Sequence, residues 1–109
     1  MWNSRQIRDP FTPDNLLHLL ISIQNGTSHY THNDFADWCC DYFKAAEYQH
    51  ISINTEWDKK AVDIVYEVDL KWEEHLINTF KVHELSEENK SKLEMPKEWI
   101  EDWQMRLRR

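Results

Sequence analysis

His29 and His32, in the stretch HYTH that runs on to Asp34, are the nearest approach to a metal-ligand cluster in this sequence. A closed zinc site wants four ligands, commonly Cys or His paired at set spacings, and the adjacent Cys39 and Cys40 supply no C-x-x-C. The pair therefore reads as two loop histidines facing solvent, and no metal or other cofactor is expected. Nucleophilic or acid–base chemistry needs a nucleophile with a base in reach, or two carboxylates in contrasting environments. Ser22, Ser28, Cys40 and the six histidines combine into many triads on paper, and their spacing singles out none. There is no G-x-S-x-G and no H-E-x-x-H, and one glycine in the whole chain excludes glycine-rich phosphate loops. The chain is not expected to be an enzyme, and Cys40, off the apolar arc of its helix, is expected to be a passive thiol.

The carboxylates carry more information. In NDFADWCCDYF, Asn33 to Phe43, a helix places Asp34, Asp37 and Asp41 within roughly 60° of one another, with Trp38 at the border of the apolar side. In the next helical segment Glu56, Asp63, Glu67 and Glu74 form a second stripe opposite the apolar arc, with Lys60 and Lys71 at its edge. One such stripe is ordinarily a solvated face. Two on successive helices, with a tryptophan beside one and a formal net charge of −7, point to a binding face for a basic protein. The same charge repels nucleic acid and anionic membranes, so direct binding to either is not expected. Arg106, Arg108 and Arg109 in the terminal RLRR sit where cations stabilise the C-terminal end of a helix.

The elements that must position these groups are helical. At 109 residues, 40% hydrophobic and 13% aromatic, the chain fits a single globular domain spanning 1–109, with a highly charged surface. Neighbouring cysteines do not form an ordinary disulfide with each other, which fits a reducing compartment. No apolar run has the length of a signal-peptide core or a membrane span, and the protein is expected to be cytoplasmic. Thr12, Pro13 and Asn25-Gly26 open and close a first helix, whose apolar residues surround most of its circumference and mark it as the central one. Asn33 caps a second helix running to about Tyr48, with Phe35, Cys39, Tyr42, Phe43 and Ala46 facing the core.

Thr55 caps a third helix, in which Trp57, Ala61, Ile64, Val65, Val68, Trp72 and Leu76 share one arc, and a break near Asp69 is left open. The alternation of Tyr66, Val68, Leu70 and Trp72 leaves open a short strand or hairpin within 51–72. Ser86 starts a short helix, and Pro96 starts a last one carrying Trp99, Trp103 and Leu107. The expected fold is an all-α bundle of about five helices, with Leu16, Leu20, Phe35, Tyr42, Ile64, Val68 and Trp72 in the core.

In size, acidity and Asp/Glu stripes near aromatic residues, as in NDFADWCCDYF and INTEWDKKAVDIVYE, the chain resembles the small acidic immunity proteins of bacterial toxin systems. The relevant kinds are those of colicins and of contact-dependent growth inhibition. The resemblance covers the style of the whole chain and transfers no residue by alignment. It implies a cytoplasmic inhibitor that neutralises a basic, nuclease-like toxin domain, with Asp34, Asp37, Trp38 and Asp41 first in line and Glu56, Asp63 and Glu67 second. The alternatives are a phage-type acidic mimic of nucleic acid, a generic interaction protein and a small enzyme.

Overall fold

The computed structural model describes residues 6–109; residues 1–5, with Trp2 and the start of the N-terminal stretch read above for targeting signals, lie outside the described residues. The described chain is all-α: α1 (Pro13–Gln24), α2 (His32–Glu47), α3 (Glu56–Thr79), a single 3-10 turn at Val82–Glu84, α4 (Glu87–Lys92) and α5 (Lys97–Arg108). Each start has a local cause. Thr12 Oγ1 accepts from the Asn15 N–H with Pro13 at the first helical position, and Ser86 does the same for Asn89. Thr31 and Thr55 each form a reciprocal capping box with an aspartate three residues on, Asp34 and Asp58.

The stops are equally local. Past α1, the Gly26 N–H bonds Ile23 O and the Thr27 N–H bonds Ser22 O, the paired arrangement that a left-handed residue permits, and Gly26 has φ +70°. Past α2 the same pattern recurs at Gln49 and His50, with Gln49 held at φ +60°.

α2 and α3 form an antiparallel hairpin, because Phe43 meets Tyr66 near its closed end and Asn33 meets Trp72 near its open end. α5 lies across α1 and α3, and α4 sits against α2. One apolar cluster runs through all of this, with Leu16, Leu20, Phe35, Tyr42, Ile64, Val65, Val68, Trp103 and Leu107 almost wholly buried. The seven residues expected at the centre of the core are all buried, whereas Phe43, Ala46 and Leu76 of the expected apolar arcs are half-buried and Trp57 is exposed. The tryptophans also tie elements together through their indole N–H groups: Trp38 donates to Asp9 O, Trp57 to Leu107 O and Trp72 to the Asn33 side chain.

Three details differ from expectation. The cap of α2 is Thr31, not Asn33, because a threonine with an aspartate three residues later satisfies two backbone N–H groups at once. α3 is unbroken through Asp69 for 24 residues, and no strand occurs among the described residues. α1 is not the central helix: its Leu17 and Ile21 remain half-buried, whereas α3 packs against α1, α2 and α5.

Candidate functional site

The T-x-x-D start of α2 decides the fate of the first predicted aspartate. Asp34 occupies the third helical position, where its carboxylate accepts from the Thr31 N–H at 3.0 Å while its own N–H donates to Thr31 Oγ1. It is 4% exposed, so it anchors the helix start and is corrected from binding residue to cap. Trp38 is likewise corrected. It is 3% exposed and packs between Phe11, Phe35 and Tyr42, because its indole N–H finds the Asp9 carbonyl and draws the ring inward from the helix border.

Asp37 and Asp41 do reach the surface, one turn apart, beside an open hollow of about 340 Å³ that Cys40 and Lys44 also line. The Asp37 carboxyl is held above the usual aspartate range. Partial burial is the main cause, and the negative charges of Glu87 on α4, Asp34 and Asp41 add to it, while Lys90 opposes them. Carboxylates from α2 and α4 are thus crowded together at one place on an already acidic molecule.

The second stripe divides. Glu67 is engaged by Arg106 of α5, which also reaches Asp102 at 3.3 Å, and by Lys71 at 3.5 Å. Its charge joins α3 to α5, which removes it from the set of available carboxylates. Glu56 is exposed and pairs with Lys59 at 3.3 Å. Asp63 is exposed, as are Glu73 and Glu74, and none of the described cations pairs with these three. Arg106 is therefore a cross-helix ion-pair partner as well as a terminal helix cation.

Sequence reasoning passed over the apolar residues between these acids. Tyr66 and Leu70 are 45% and 46% exposed and Ile77 is 63% exposed, and all three fall on one side of α3. Phe43 of α2 supports the row with its ring 4.6 Å from that of Tyr66. Cys40 of α2 lies beside Asp69 of α3 across the seam between the two helices. The signal was present: the strand-like alternation of Tyr66, Val68, Leu70 and Trp72 is the mark of a helix apolar on two sides.

Both thiols are free, and burial pushes them up, Cys39 fully buried and Cys40 also pressed by the neighbouring Asp69. Neither environment favours a reactive thiolate. His29 is exposed, but His32 turns inward and accepts the Met95 N–H on Nδ1 at 2.7 Å, so the two are not a ligand pair. No group of three or more His, Cys, Asp or Glu side chains converges as a metal site among the described residues. No helix there is long and apolar enough to cross a membrane. Comparison with known protein families, with curated proteins and with solved structures finds no match to this chain.

Proposed function

We propose that this chain is a cytoplasmic immunity-type inhibitor that binds and neutralises a basic, nuclease-like toxin domain through the outer side of the α2/α3 hairpin. The observation that carries the reading is the pair of exposed carboxylates, Asp37 and Asp41, one turn apart beside one open hollow, with Glu87 of α4 near enough to act on Asp37. Like charges held together cost free energy in the isolated protein. A partner that lays cations over them relieves that cost on binding, in addition to the new pairings it makes.

A nuclease is a fitting partner because it must carry a positive surface to hold phosphates. An inhibitor bearing the opposite potential gains rapid encounter and discrimination against neutral proteins. Of the residues assigned from sequence, Asp37 and Asp41 remain first in line and Asp63 second. Glu56 is at the margin, and Asp34, Trp38 and Glu67 serve the fold.

The test is co-expression with the product of the adjacent gene, followed by a nuclease assay on the purified proteins. A one-to-one complex whose nuclease activity disappears at equimolar inhibitor is the expected result. A nuclease that stays fully active in excess of this protein would overturn the proposal.

A further inference from the structure

We propose that the exposed apolar row of α3, Tyr66, Leu70 and Ile77, is the docking strip for a cationic amphipathic helix. This rests on the reading of the chain as a binder of basic proteins and adds the place and secondary structure of the contact. The row runs over twelve residues, Tyr66 to Ile77, whose eleven steps cover roughly 16 Å at 1.5 Å per residue, about three turns of an opposing helix. Each member is about half exposed or more, while the core residues of the same helix, Ala61, Ile64, Val65, Val68 and Trp72, are at most 4% exposed. The strip is therefore a second apolar side, left exposed by the described residues apart from the contact of Phe43 with Tyr66.

Charge decides the occupant. Asp63, Glu73 and Glu74 border the strip without a paired cation among the described residues, and Asp69 lies on its α2 side. The cation nearest in helical register, Lys59, is paired with Glu56. A second copy of this chain laid on the strip would bring the same carboxylates against one another, and an anionic membrane would meet the same repulsion. A helix with leucine-like residues at i, i+4 and i+7, flanked by Lys or Arg, satisfies both the apolar row and its border. Phe43, braced against Tyr66, fixes the aromatic end, so docking needs little ordering of the surface.

The probe is a synthetic 18-residue helical peptide of leucine and lysine with that spacing, compared with its leucine/glutamate counterpart by fluorescence anisotropy. Variants Leu70→Lys and Ile77→Lys test the strip, and Asp14→Lys, an exposed charge reversal on α1, is the control. Circular dichroism and thermal melting check that each variant folds as the parent does.

The expected result is saturable binding of the Leu/Lys peptide, weakened at least about tenfold by either strip variant (1.4 kcal/mol per factor of ten), with much less effect from Asp14→Lys. The Leu/Glu peptide should not bind. Equal binding to parent and strip variants, or equal binding of both peptides, would overturn the strip. So would dimerisation of the free protein that Leu70→Lys abolishes, since a second copy would then be the occupant. Peptide binding is read without the toxin and nuclease inhibition without the peptide. The strip can thus fail while the inhibitor reading stands, and a strip that binds peptide does not rescue an inhibitor that fails to quench its nuclease.

Discussion

His32 shows how one side chain couples the fold to pH. Its Nδ1 accepts the Met95 N–H at 2.7 Å, which requires that nitrogen to be unprotonated, and so holds the segment between α4 and α5 against the start of α2. Burial pushes its pKa below the ordinary value of 6.5, and Glu94, 3.8 Å from Nε2, opposes this only in part. A histidine whose pKa is lower folded than unfolded stabilises above the unfolded value and loses that contribution as pH falls through 6.5 and below. Urea unfolding at a series of pH values should show stability declining from pH 7 toward 5, with a flatter profile in His32→Gln; identical profiles would remove His32 as the cause. Trp38 makes a separate point at this scale. Trp38→Ala empties a packed site between Phe11, Phe35 and Tyr42 and should cost about 3–5 kcal/mol in the same assay. A loss under about 1 kcal/mol would return the ring to the surface.

At the scale of elements, the α2/α3 hairpin positions the proposed binding residues, and its turn contains the one described non-glycine residue with positive φ, Gln49. Gln49→Gly removes the steric cost of the left-handed conformation and should raise stability by about 0.5–1 kcal/mol, after allowing for the freer unfolded chain. A drop in the melting temperature would mean that the Gln49 side chain contributes a contact larger than that strain. The helices themselves were legible in the sequence, because threonine, proline and serine starts and the apolar arcs are local signals that the packing respects. α2 is capped at Thr31 rather than Asn33 because the T-x-x-D box there satisfies two backbone N–H groups, and the same box gives Asp34 its capping role. Other features depended on partners distant in sequence. Trp38 is buried by Asp9, 29 residues earlier, and Glu67 is taken by Arg106, 39 residues later. No stripe drawn on one helix contains either partner. The Asp37/Asp41 pair was legible because its exposure follows from helical period alone.

Over the whole molecule, a formal charge of −7 makes association with any basic partner sensitive to ionic strength, since the Debye length is only about 8 Å at physiological salt. Distributed charge accelerates encounter, whereas neighbouring carboxylates such as Asp37 and Asp41 also orient it, so reversing one of them should slow association more than reversing an exposed acid on another helix, such as Asp14 of α1. Exposed substitutions of this kind usually change stability by no more than about 0.5 kcal/mol, so the effect can be read as binding. The most direct measurement is the association rate of the purified chain with the basic domain proposed as its partner, at low and physiological salt, for the parent, Asp37→Lys, Asp41→Lys and Asp14→Lys. Slower association and a flatter salt dependence for the first two variants, with Asp14→Lys close to the parent, is the predicted result. Association rates unchanged by reversal at Asp37 and Asp41 would contradict the account.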